Sequence, residues 1–202
     1  MGSKLDANKK QKKEALLNTA FDLFTTKGIH KTSISDIVNQ AGVAKGTFYL
    51  YFSDKFDIRN KLIAHEAGLI FTSAYDAMRK ADVTDFEDQI IYIVEYIINV
   101  LEHNPKLLSI ISKHLSWGVF KNSISNPTDT DEESPLELFH ILLDESGHTF
   151  KDPEIMIYAI IELVSGMIYN PILYKQPVPL EEIKPHINQI IIQIIQNHYA
   201  DE

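Results

Sequence analysis

Apolar residues recur at three- and four-residue spacing along almost the whole chain, the signature of helices with one buried face. Leu16, Leu17, Ala20, Phe21, Leu23 and Phe24 form one such stripe, which Gly28 stops. Ser33, followed three residues on by Asp36, has the form of a capping box that opens a short helix through Ile34, Ile37 and Val38. Gly42 breaks that helix, and Val43 to Tyr51 predicts a third. A fourth begins near Ser53 and carries Phe56, Ile58, Leu62, Ile63, Leu69, Ile70 and Phe71. Ile90, Val94, Ile97, Ile98 and Leu101 mark a long helix starting near Asp85, and Leu107 to Trp117 predicts another. Residues 118–134 hold Gly118, Asn126-Pro127 and an acidic Ser/Thr-rich tract, and read as a mobile loop. Helices resume over residues 135–145, 153–169 and 181–199. The β-branched run Ile187–Ile195 suits a strand equally well by propensity, and only its length and the lack of a partner strand decide for helix. Pro185 belongs near the start of that last helix, because farther inside it costs about 3 kcal/mol. The expected fold class is all-α.

Composition narrows the functions available. The 202 residues are 45% hydrophobic and 23% charged, ordinary for a globular chain, with no cysteine. Disulfides, thiolate metal sites and cysteine nucleophiles are therefore excluded. No uninterrupted apolar run reaches the roughly 18–20 residues of a spanning helix. The N-terminus is charged and has no apolar signal core; Asp6 stands where a myristoylation signal wants Ser or Thr. A cytoplasmic location is expected.

The net charge of −9 hides a division. Residues 1–61 hold eleven Lys/Arg against six Asp/Glu, or +5, and the other 141 hold eight against twenty-two, or −14. A small basic module joined to an acidic body suggests that the first part meets a polyanion and the second does not.

Between Thr32 and Phe52 the chain describes two short helices joined by a tight glycine turn. Ile37, Val38, Ala41, Val43 and Phe48 are spaced to pack the pair together. In the helix-turn-helix geometry the second helix enters the major groove of duplex DNA. Lys45, Thr47 and Tyr49 then project outward, offering a cation, a hydroxyl with a methyl, and a phenol. Lys donates to guanine acceptors, and the Thr methyl suits that of thymine. Gly46 permits close approach of the backbone.

These residues carry a resemblance. Thr32-Ser33, Asp36-Ile37, Ala41-Gly42-Val43, Gly46-Thr47-Phe48-Tyr49, Tyr51-Phe52 and Lys55 resemble the DNA-binding domain of the TetR (tetracycline-repressor-like) family of bacterial transcription regulators. The resemblance covers roughly residues 10–60; beyond them only length and helical character agree. It implies a three-helix DNA-binding domain over residues 1–60 and a larger helical ligand-binding and dimerisation domain over 61–202. Lys45, Gly46, Thr47, Tyr49 and Leu50 fall where family members touch bases or adjacent backbone, and Ser33, Tyr51 and Lys55 where they contact phosphate. Leu50 departs from the polar or aromatic residues often found there and offers an apolar base contact. Lys9, Lys10, Lys12 and Lys13 read either as a flexible arm on the DNA backbone or as a solvated charge run.

For the body, the resemblance implies a homodimer on a near-palindromic operator and release by a small apolar or amphipathic effector. The interface expected from the isoleucine stripes comprises Ile160, Val164, Ile187, Ile190, Ile191, Ile194 and Ile195; the alternative is plain intramolecular core. Phe71, Tyr92, Tyr96, His114, Trp117, Phe120, Phe139, Tyr158 and Met167 are the candidate effector contacts, against the alternative that they only pack. Glu95, Glu102 and Glu162 favour a cationic ligand if buried, and mean nothing for ligand choice if solvated. A repressor is the expected mode; an activator or a constitutive DNA-binding protein without a ligand is the alternative.

Other chemistries lack their motifs. Neither phosphate-loop pattern, G-x-S-x-G nor H-E-x-x-H occurs, so neither an enzyme nor a cofactor is expected. Asp129, Asp131 and Glu133 imitate a calcium loop, but Ser134 and His140 stand where it needs Gly and Glu. His140, Asp144 and His148 share four-residue spacing, but Gly147 is placed to end the helix before His148, so no metal site is expected.

Overall fold

The computed structural model describes residues 2–114 and 134–200. They form nine helices: α1 (Gly2–Thr26), α2 (Ile34–Ala41), α3 (Lys45–Tyr49), α4 (Lys55–Lys80), α5 (Phe86–His103), α6 (Pro105–His114), α7 (Pro135–Glu145), α8 (Pro153–Tyr174) and α9 (Leu180–His198). The starts follow side-chain caps. Ser33 and Asp36 form the reciprocal box on α2, Asp54 accepts from the backbone N–H groups of Phe56 and Asp57, Asp85 caps α5, and Ser134 with Glu137 boxes α7. The one β-bridge among the described residues is isolated and antiparallel, between Phe150 and Tyr199.

Two cores divide the chain. α1, α2, α3 and the first turns of α4 close around Leu16, Ala20, Ile37, Phe48, Ile58, Leu62 and Ile63, and α6 adds Ile110 to them. The second core starts at Ile70 of α4 and runs through α5, α6, α7, α8 and α9. α4, about 39 Å long at 1.5 Å per residue, therefore belongs to both. The division expected near residue 60 lies inside α4, in keeping with a fourth helix expected to begin near Ser53.

Several expectations change. The lysine-bearing N-terminus is not an irregular arm: α1 is helical from Gly2, with Lys9, Lys10 and Lys12 exposed ahead of its first buried residue, Leu16. α8 continues past Tyr169 to Tyr174 through a buried Pro171. Pro185 is the sixth residue of α9, beyond the four N-terminal N–H groups that have no helical partner. The helix nonetheless forms, because Ile183, Ile187, Ile191 and Ile195 bury one continuous stripe. Trp117, Phe120 and residues 118–133 of the expected loop lie outside the described residues.

α8 meets the length and composition of a membrane span, while the expectation of no uninterrupted apolar run of that length still holds. It is 22 residues long with a mean hydropathy of 1.6, enough by length and composition to cross a bilayer, although Glu154 and Glu162 interrupt its apolar run. About a third of an 18-residue stretch of it is buried; it packs against α9, α6 and α5, and Ile155, Tyr158 and Tyr174 are its exposed apolar side chains.

Candidate nucleic-acid interface and apolar cavity

The turn between α2 and α3 is set by Gly42, whose φ of +68° lies in the left-handed region that glycine tolerates best. Its N–H bonds back to Asn39, and the Val43 N–H donates to the Val38 carbonyl at 3.0 Å. α3 then has a single inward anchor: Phe48 is fully buried and meets Phe52 at 5.5 Å between ring centroids. With Phe48 inside, the other side of the helix faces solvent. Lys45 and Gly46 are exposed, Thr47 is half-buried, Tyr49 is 53% exposed and Leu50 78%. One surface thus presents a cation, a hydroxyl, a phenol and an isobutyl group, which together match acceptors, phosphates and thymine methyls of a major groove.

Two expected phosphate contacts are taken up inside the module. The backbone N–H and the hydroxyl of Ser33 both donate to Asp36 Oδ2, at 2.9 and 2.8 Å. Those two bonds hold the Asp36 carboxyl below its ordinary range and leave Ser33 without a donor for DNA. Lys55 Nζ donates to the carbonyls of Ile29, His30 and Thr32 at 3.0, 3.3 and 3.3 Å, all the bonds an ammonium has. It ties the loop after α1 to the start of α4. Tyr51 is half-buried against Phe52, and its carbonyl accepts from Lys61 Nζ at 2.9 Å. Lys61, which sequence reasoning passed over, thereby braces the end of α3. Ser33 and Lys55 thus brace the elements around α3, and Lys45, Gly46, Thr47, Tyr49 and Leu50 make up its candidate recognition surface.

In the body, α4, α5, α6, α7 and α8 enclose a cavity of about 110 Å³ among the described residues. Of the nine aromatic, His and Met candidates, Phe71 and Phe139 stand in its wall. Tyr92, Tyr96 and Met167 are half-buried against the same core without lining the cavity, and Tyr158 is 42% exposed. His114 ends α6, but its side chain lies outside the described residues, as do Trp117 and Phe120. The correction has a simple cause. Branched aliphatics do the lining: Ile70, Ile90, Ile93, Val94, Ile97, Ile111, Ile157, Ile160, Ile161, Val164 and Ile168, with Ser165 the one polar residue. The available signal was the density of isoleucine and valine in the segments forming α5 and α8.

The charged candidates point elsewhere. Glu95 is exposed and accepts from Asn188 Nδ2 at 2.6 Å, Glu102 pairs with Lys184 at 3.6 Å, and Glu162 is exposed. Among the described residues no group of three His, Asp or Glu side chains is placed to hold a metal ion. His140 is exposed, and His148 stacks on Tyr199 at 4.8 Å.

The interface candidates divide in the same way. Ile160, Val164, Ile187, Ile191 and Ile195 are buried in this chain's own core, the first two in the cavity wall as well. Ile190 and Ile194 are half-buried, and the outward surface of α8 shows Ile155 at 57%, Tyr158 at 42% and Tyr174 at 60% exposure.

Comparison with known proteins agrees with this architecture. Residues 16–62 match the family model of bacterial regulatory proteins, tetR family. An uncharacterised helix-turn-helix transcriptional regulator of Bacillus subtilis, YvdT, is 46% identical over 68 residues, 34% of this chain and 33% of that protein. The chain spans about a third of the first two curated relatives it matches. The fatty acid degradation regulator FadR of Bacillus halodurans superposes with a TM-score of 0.62 at 21% identity, over 90% of this chain and 94% of that one. FadR of Bacillus subtilis, solved with stearoyl-CoA, does so with 0.61 at 17% identity, over 90% and 98%. Identities this low speak for a shared fold, from the DNA-binding module through the helical body.

Proposed function

We propose that this chain, which belongs to the tetR family of bacterial regulatory proteins, is a transcriptional repressor that binds a near-palindromic operator as a homodimer and leaves it when an apolar effector enters the body. The observation that carries the reading is α3: a five-residue helix with Phe48 fully buried and Lys45, Tyr49 and Leu50 turned to solvent. Lys45 supplies a donor to guanine acceptors, Tyr49 reaches the backbone, and Ser33, Lys55 and Lys61 hold the surface in place. The +5 charge of residues 1–61 draws this module to DNA, and the acidic body turns away from it.

The cavity is the effector site in this reading. Its hydrocarbon wall suits an alkyl chain, and a protein of like fold was solved with stearoyl-CoA. Two helices connect the cavity to the DNA module. α4 carries Ile58, Leu62 and Ile63 in the module's core and Ala67, Ile70 and Phe71 in the cavity wall. α6 puts Ile110 in the module's core and the next residue, Ile111, in the wall. A molecule that spreads the wall moves both helices and with them the separation of the two recognition surfaces. Effector and DNA then favour different states, with a reciprocal coupling of typically about 1–3 kcal/mol. The partner copy covers the apolar outward surface of α8, with Ile155 and Tyr158, alongside Ile190 and Ile194 of α9.

A duplex selected from a randomised pool by the full-length protein supplies the test. Lys45→Ala and Tyr49→Phe should weaken its binding about tenfold while melting temperature stays within a few degrees. Intact binding in both variants would overturn the assignment of α3.

A further inference from the structure

The positive charge of the DNA-binding module is gathered toward one end of α1. Residues 1–14 hold five Lys against Asp6 and Glu14, or +3, which leaves +2 of the module's +5 for residues 15–61. Of the cations in that remainder, Lys55 is taken up by three backbone carbonyls, and Lys61 by the Tyr51 carbonyl and Asp57. The lysines of α1 also keep to a particular face. Lys13, Lys12 and Lys9 precede Leu16 by three, four and seven residues, and Lys13 and Lys10 precede Leu17 by four and seven. On a helix those spacings share one side. The buried stripe that α1 packs against α2, α4 and α6 is thus continued, past the edge of the core, as a row of lysines. Charges that only solvate a helix stand opposite its buried stripe, not in line with it.

Little that is local favours a helix here. α1 has no acidic residue in its first turn, and its cations lie toward the positive end of the helix dipole. Lys9 with Lys12, Lys9 with Lys13 and Lys10 with Lys13 place like charges at three- and four-residue spacing, and no residue from Ala7 to Glu14 is fully buried. A polyanion along the lysine face would relieve that repulsion. A bilayer is a poor match, since residues 7–14 offer no apolar side chain larger than alanine to insert. Duplex DNA, with one charge per about 1.7 Å of axis, offers several phosphates to a row of this length. Lys9 stands about 10 Å along the helix axis from Leu16, clear of the module's core. We propose that the start of α1 is a further DNA-contacting element, a lysine face laid on the phosphate backbone outside each half-site. It adds affinity without sequence preference. The inference rests on the reading of α3 as the recognition surface.

Two duplexes carrying the same selected operator test this on the full-length protein. One ends at the outer edges of the half-sites, and the other runs about ten base pairs, one helical turn, farther on each side. The slope of log affinity against log salt concentration should be steeper on the longer duplex. The Lys9→Gln/Lys10→Gln/Lys12→Gln/Lys13→Gln variant should lose that difference, its slope on the longer duplex falling by about three or more per dimer, at roughly 0.9 for each phosphate contact. Amide exchange of residues 7–14 in the parent chain should slow on the longer duplex and not on the shorter. Equal parent slopes on the two duplexes, or a variant that keeps the parent's slope, would overturn the lysine face and leave α3 in its role. A protein that binds neither duplex would overturn the recognition surface itself.

Discussion

The DNA-binding module and the body solve opposite problems with the same helical fold. In the module a small core of closely spaced residues holds a polar surface outward: Phe48 is buried so that Lys45 and Tyr49, its neighbours on α3, are not. In the body five helices from distant parts of the chain turn an apolar surface inward and leave the space between them partly unfilled. In the proposed function the first arrangement reads DNA through a few directed contacts, and the second takes an effector by shape and polarity. The contrast explains why the module's chemistry sits in a 21-residue stretch while the body's is spread over about a hundred residues.

The sharpest way to break the contrast is to remove the module's anchor. Phe48→Ala leaves a void in a core with little else to fill it and should cost about 3–5 kcal/mol. Chemical denaturation should show the module unfolding first, with binding of the apolar fluorophore N-phenyl-1-naphthylamine in the cavity retained; simultaneous loss of both would mean that the two cores are one cooperative unit. The next largest effect concerns the surface between copies. Ile155→Glu with Ile190→Glu should give monomers by sedimentation velocity and lower operator affinity by about 100-fold or more, since the second half-site no longer binds as an intramolecular event. Dimers surviving both changes would place the interface elsewhere.

Legibility followed the range of the interactions. The capping box of Ser33 and Asp36, the Gly42 turn and the burial of Phe48 all lie within the stretch that determines them, so periodicity and turn chemistry were enough to find them. The bonds of Lys55, expected at phosphate, to the carbonyls of Ile29, His30 and Thr32 were not legible because those partners are 23 to 26 residues away. Those of Ser33 went unused for a different reason. The box itself was seen, but it takes both of that residue's donors. The cavity was sought among aromatics, whereas the wall is isoleucine and valine brought together by five helices. Ile187, Ile191 and Ile195 looked like an interface because their stripe is broad, yet α5 and α8 already cover it.

Smaller effects sharpen the account of the module. Ser33→Ala removes the cap of α2 and should lower stability by about 1 kcal/mol, measured by thermal unfolding. Acidification acts at the same place. The Asp36 carboxyl is held low in the folded protein by the Ser33 N–H and hydroxyl, so its contribution is present above the ordinary aspartate range and disappears as pH falls through the folded value. Hydrogen-exchange protection at the start of α2, taken relative to the intrinsic rate at each pH, should therefore fall at low pH in the native chain, and Asp36→Asn should remove that dependence. The smallest effect belongs to Leu50. If its exposed isobutyl group meets a thymine methyl, replacing that thymine with deoxyuridine should weaken binding about threefold, near the value of one buried methyl, and have no effect in Leu50→Ala.

The central claim is that the outer surface of α3 enters two successive major grooves. Dimethyl sulfate reacts with guanine N7 in that groove, so protection of a selected duplex reads the claim directly. The account predicts two protected half-sites about 10–10.5 base pairs apart, centre to centre, or a multiple of that spacing, with protection lost in Lys45→Ala. Binding that leaves every guanine N7 reactive, or protection unchanged in Lys45→Ala, would contradict it.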